Sequence, residues 1–204
     1  MIKTIGLTGS IATGKSTASK YLKKLGCIII DGDVIAREVA DHPRVLEAIK
    51  EAFGEEFLTE EGKLSRKKLG SLVFTDDKAL KKLNKIMHPA IRHEIKGRLK
   101  ALKNSPKNCS QTHDCVVIDG ALLIEMGLQS CVDEVWVVTI TKEEQIRRLM
   151  ERDGISNRDA RNRIEAQMST EEKKKFADVV LDNSNDPNFL REQVKQEFLR
   201  LKER

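Results

Sequence analysis

Hydrophobic residues fall along this chain in two rhythms. Short, almost unbroken apolar runs stand at 2–7, 27–30, 115–118, 134–140 and 179–181. Runs of that length without polar alternation predict strands covered on both faces, the habit of a parallel sheet. Elsewhere apolar positions recur every three to four residues, which predicts helices at 16–25, 45–53, 65–72, 78–87, 89–102, 142–152 and 189–201. Gly26 and the pair Asp153-Gly154 end two of them, and His88-Pro89 falls between two more. Ser156, with Asp159 three residues on, caps a further helix running through Met168. The polar stretch 104–114 contains a proline and reads as a loop. Strands alternating with helices predict an α/β fold, a five-stranded parallel sheet with helices on both faces.

The polar residues at the strand ends carry the chemistry. After the first strand comes Gly9-Ser10-Ile11-Ala12-Thr13-Gly14-Lys15-Ser16, the spacing G-x-x-x-x-G-K-S. Glycines at 9 and 14 let the backbone turn so that successive N–H groups face one anion, and the following helix adds its positive end. Lys15 then reaches the β- and γ-phosphates of a nucleotide, and the Ser16 hydroxyl binds Mg²⁺. Thr17 either touches the α-phosphate or simply begins the helix. Asp31 and Asp33 follow the second strand, at the edge where open parallel sheets bind ligands. Phosphoryl transfer needs a base near the acceptor hydroxyl, and these carboxylates suit it; Asp33 also suits the cap of a helix starting near Val34. Asp119 ends the third strand, in position to hold Mg²⁺ through water. Arg147, Arg148 and Arg152 lie before a glycine break after the fourth strand, where small-molecule kinases carry a mobile cationic lid. Arg147 fits a solvated face better, in i,i+4 pairs Glu143/Arg147 and Glu144/Arg148.

Composition narrows the choice. With 204 residues and 39% hydrophobic content the chain can bury a core as one domain. No apolar run approaches the roughly 18 to 20 residues a membrane span needs, and the first residues lack a secretory layout, so a cytoplasmic protein is expected. The net charge of +5 is spread among 34% charged residues, with Lys173-Lys174-Lys175 the longest basic run. That excess suits a small polyanionic substrate, and 8 aromatics leave little for stacking nucleic acid bases. Cys109, His113 and Cys115 match no zinc spacing; Cys27 and Cys115 abut apolar runs and read as buried thiols.

Six segments in order resemble the dephospho-CoA kinase family: IGLTGSIATGKST, IIIDGDVIAREV, LNKIMHPAIR, VVIDGALLIEMGL, QIRRLMERDGISNRDARNRIEAQM and ADVVLDNSND. The resemblance implies a P-loop kinase-like fold with a core (1–33, 115–144 and 176–204), a helical substrate-binding region (34–104) and a lid (145–175). It implies ATP-dependent, Mg²⁺-assisted phosphorylation of the ribose 3′-hydroxyl of dephospho-CoA, the last step of coenzyme A synthesis, with no nucleic acid or membrane partner. Asp33 would be the base with Asp31 beside it, and Lys15 and Arg148 the catalytic cations. Ala12, Thr13, Gly14, Lys15, Ser16, Thr17, Arg152 and Asn183 would bind ATP, and His88 the acceptor. One departure stands out: Gly120-Ala121 replaces the Val-Pro that precedes Leu-Leu in the family, freeing a backbone that proline would fix. The remaining alternatives are a kinase of nucleosides or nucleotides, a GTP-binding switch, and an RNA-binding module using the +5 charge, which leaves the phosphate loop unexplained. The switch lacks its N-K-x-D, since Asn84-Lys85 continues into Ile-Met-His within a helical pattern.

Overall fold

The computed structural model describes residues 2–73, 75–104, 115–184 and 186–203. The five apolar runs are strands: β1 (Lys3–Thr8), β2 (Ile28–Asp31), β3 (Cys115–Asp119), β4 (Glu134–Thr139) and β5 (Val179–Asp182). They form one parallel sheet in the order β2-β3-β1-β4-β5. The apolar runs are unbroken because both faces are covered. Ile5, Leu7, Val117, Trp136 and Val138 pack with Ala18 and Leu22 of α1 (Lys15–Lys24) and with Leu190, Val194, Phe198 and Leu201 of α9 (Pro187–Glu203). Val116, Ile118 and Val137 alternate to the opposite face and are equally buried.

The chain divides into two compact units. The first, Met1–Asp31 with Leu99–Arg204, holds the whole sheet. It also holds α6 (Lys142–Asp153), α7 (Asn157–Glu165) and α8 (Thr170–Lys174). The second, Gly32–Arg98, is helical: α2 (Gly32–Ala40), α3 (Pro43–Phe53), α4 (Arg66–Val73) and most of α5 (Asp77–Asn104). Within that unit Arg66 donates to Asp41 and to the Arg37 carbonyl, each at 2.9 Å, and Arg98 bridges Glu38 and Glu94.

Three helical expectations change. The two helices expected at 78–87 and 89–102 are one, with Pro89 inside α5. Proline removes one amide and crowds the carbonyl four residues back, yet Ile91, Ile95 and Leu99 keep a buried stripe at four-residue spacing beyond it. Burial of that stripe overrides the breaker. His88 accordingly lies within a helix rather than at the start of one. The helix capped by Ser156 stops at Glu165, not Met168, because Ser169 and Glu172 form a reciprocal capping box that starts α8. Cys109 and His113 lie outside the described residues, and Cys115 is the buried first residue of β3. Among the described residues no helix is long and apolar enough to cross a membrane.

Candidate active site

β1 ends at Thr8 and opens into the 9–14 loop, which enters α1 at Lys15. Two glycines of the loop are dictated by space. A Cβ on Gly9 would stand 2.7 Å from both the Thr13 hydroxyl and the Val138 carbonyl. Gly14 has φ 88°, and a Cβ there would stand 2.0 Å from Asn183 Nδ2. Ala12 takes a left-handed φ of 63° without being glycine. Thr13 is buried, and its hydroxyl donates to the Ser10 carbonyl at 2.9 Å, so its side chain shapes the loop from within. No side chain caps the amino end of α1, and Ser16 there is exposed. The helix therefore presents its positive end and a free-standing hydroxyl on the same turn.

Lys15 is ion-paired to Asp119, with side-chain exposures of 16% and 9%. The sheet register explains the meeting. Asp119 sits opposite Leu7 of β1 and opposite Asp31 of β2, so both aspartates stand at the carboxyl edge from which the loop springs. Asp31 is exposed there. Asp33 belongs to the first turn of α2 in the helical unit, as His88 belongs to α5.

Asn183, just beyond β5, is buried and donates through Nδ2 to the Thr13 carbonyl at 2.8 Å. Its own carbonyl accepts from Arg148 Nη2 at 3.1 Å, while Arg148 Nε donates to Glu144 at 2.8 Å. The loop, Asn183 and Arg148 are thus one connected group. Arg152 stands apart, more than half exposed and engaged by Asp153. Arg147 lies on the solvated face, as its pattern suggests, but pairs with Glu144 and Glu151 rather than Glu143. Arg147 first, and Arg148 with it, holds the Glu144 carboxyl far below the usual range, at about 2.

Three polar residues near the loop escape a reading of pattern. Gln145 and Gln167 contact Ile11 of the loop. Lys173 has no exposed side-chain surface. It reads in sequence only as part of the longest basic run, whereas its Nζ donates to the Ala121 carbonyl at 2.6 Å and to Glu125 at 2.8 Å. That carbonyl also accepts from the Thr8 hydroxyl at 3.2 Å, so hydrogen bonds secure the Gly120-Ala121 backbone. Gln145 lies beside Ile146 and one turn before Leu149 on the buried face of α6, which is the signal that it points inward.

A parallel sheet whose first strand turns through two sterically required glycines into an uncapped helix, with a lysine over the neighbouring strand's aspartate, defines a phosphate-loop kinase fold. The dephospho-CoA kinase family model matches residues 3–188. A dephospho-CoA kinase of Carboxydothermus hydrogenoformans is 47% identical over 192 residues, covering 93% of this chain and 90% of the relative. The structure of dephospho-CoA kinase from Campylobacter jejuni superimposes with a TM-score of 0.70 at 29% identity, covering 98% of each chain. A shikimate kinase from Bacteroides thetaiotaomicron, at 17% identity and a TM-score of 0.53 over 98% of this chain and 99% of its own, shares the fold. The chain belongs to the dephospho-CoA kinase family.

Proposed function

We propose that the protein transfers the γ-phosphoryl group of ATP to the ribose 3′-hydroxyl of dephospho-CoA, with the loop 9–16 as the donor cradle. The observation that carries this reading is the loop itself, braced by Asn183 and uncapped at α1, with Lys15 lying on Asp119. An incoming polyphosphate offers Lys15 more negative charge than one carboxylate does, so the ammonium turns to the β- and γ-phosphates. Amides of Ala12, Gly14, Lys15 and Ser16 and the positive end of α1 hold the same anion, with Thr13 and Thr17 at the two ends of that turn. Arg148, aimed by Glu144 and by the Asn183 carbonyl, neutralises charge that develops on the transferring group. Arg152 joins it when the part of the 145–175 lid between Gln145 and Gln167 closes and excludes water.

Asp33 orients the acceptor hydroxyl and accepts its proton, with Asp31 beside it and His88 on the acceptor. The exposed Ser16 hydroxyl and the register partners Asp31 and Asp119 are hard oxygen donors of the kind Mg²⁺ takes. Mg²⁺ bound by Ser16, and through water by Asp119, would supply charge neutralisation on the phosphates. Catalysis by the chain's own residues is positioning plus electrostatics.

The test is acceptor choice. With radiolabelled ATP, label should pass to dephospho-CoA and not to nucleoside monophosphates; label found only in the monophosphates would remove the assignment.

A further inference from the structure

The stretch 167–173 does more than connect α7 to α8. At its start, the Ile11 amide donates to Gln167 Oε1 at 2.9 Å. On the other side of the same residue, the Ile11 carbonyl accepts from Gln145 Nε2 at 2.7 Å. The Ser10 hydroxyl donates to the Met168 carbonyl at 3.4 Å. The third residue of the phosphate loop is therefore held on both its polar groups, and its amide is already committed. At the end of the stretch, Lys173 is fully buried and reaches the Ala121 carbonyl and Glu125 Oε1. Thr8, which directly precedes the loop, donates to that same carbonyl. The stretch thus grips the loop after β1 with one hand and the turn after β3 with the other.

The chemistry at Lys173 argues against simple packing. Removing an ammonium from water is unfavourable, and replacing both members of a buried ion pair by apolar side chains of similar volume is often neutral or stabilising. Glu125 gains no further satisfaction from the arrangement, because its Oε2 is buried with no hydrogen-bond partner among the described residues. What the charge does supply is direction: it fixes the Ala121 carbonyl, and with it the backbone that follows Asp119.

We infer that 167–173 is a strap, with Gln145, Gln167 and Lys173 as positioning residues that hold the phosphate loop in its nucleotide-ready shape and in register with the end of β3. This rests on the loop being the ATP cradle. In the absence of the strap, ATP must order the loop on arrival, which weakens ATP binding and leaves the acceptor site untouched.

Steady-state kinetics on the full chain test it. Gln167→Ala should raise KM for MgATP about fivefold, the usual worth of one hydrogen bond, with kcat within about twofold and KM for dephospho-CoA unchanged. Lys174→Met, at a neighbouring half-exposed site whose ammonium pairs with Glu171 rather than with the loop, should leave both KM values unchanged. Lys173→Met should raise KM for MgATP and lower thermal stability, because the partly buried Glu125 carboxylate loses its cation. The double variant Lys173→Met/Glu125→Leu should regain stability without regaining KM, and it carries the test if the single variant does not fold. Recovery of both would make Lys173 a packing residue and overturn the strap, as would an unchanged KM in Gln167→Ala. Lys15→Ala separates the two readings. If it turns over normally the cradle itself is wrong; if it is inactive while Gln167→Ala is normal, only the strap is wrong.

Discussion

Gly14 carries two separate demands. Its φ of 88° lies where a side chain is strained, and the space a Cβ would take is filled by Asn183 Nδ2. Gly14→Ala must therefore either distort the loop or expel Asn183 from the Thr13 carbonyl. Backbone strain and one lost buried hydrogen bond together suggest a destabilisation of about 2–4 kcal/mol, read by urea denaturation. ATP affinity should fall by at least about tenfold, read by calorimetric titration, since the same carbonyl anchors the turn before Lys15. Asn183→Ala should lower stability through the hydrogen bond alone, with Gly14 unstrained. Similar stability in Gly14→Ala and wild type would mean that Asn183 swings aside freely.

At the scale of elements, α6 shows how charge is arranged around one turn. Glu144 accepts from both Arg147 and Arg148, and its folded-state pKa drops to about 2 from 4.5. A depressed carboxyl stabilises the fold above its unfolded value and loses that contribution as pH falls toward 2. Glu144→Gln should accordingly melt slightly lower than wild type at pH 7, and the gap should close between about pH 4.5 and 2. A gap that persists below pH 2 would point to packing instead of charge. The same scale shows what was legible in the chain. The strands, the loop and the end of α6 at Gly154 rest on local rules of apolar runs and glycine spacing, and local rules can be read locally. Pro89 inside α5 and the burial of Lys173 are decided by what packs against them, which no window of sequence contains. α8 is a different case: Ser169 and Glu172 stand at capping-box spacing, a local signal for its start that a helix drawn through Met168 overlooks. The bracing of the loop by Gln145, Gln167 and Asn183 joins residues more than a hundred positions from their partners, and had no local signature beyond the helix face of Gln145.

For the molecule as a whole, the division into a sheet unit and a helical unit matches a division of labour in the proposed reaction. The loop, Lys15, Asp119 and Asn183 belong to the first, while Asp33 and His88 belong to the second. Asp33→Asn should then leave ATP binding within about twofold of wild type and lower kcat by at least about a hundredfold, measured by titration and by single-turnover transfer. Loss of ATP binding in that variant would assign Asp33 to the donor side or to folding.

The position of β1 has a further consequence. It is hydrogen-bonded on both sides, to β3 and to β4, whereas β2 and β5 form the borders of the sheet. Fraying proceeds from borders inward, so β1 should exchange its amide protons for deuterium among the last in the protein. The proposed nucleotide cradle thus hangs from one of the slowest-opening strands among the described residues, and partial melting at the borders leaves its root in place.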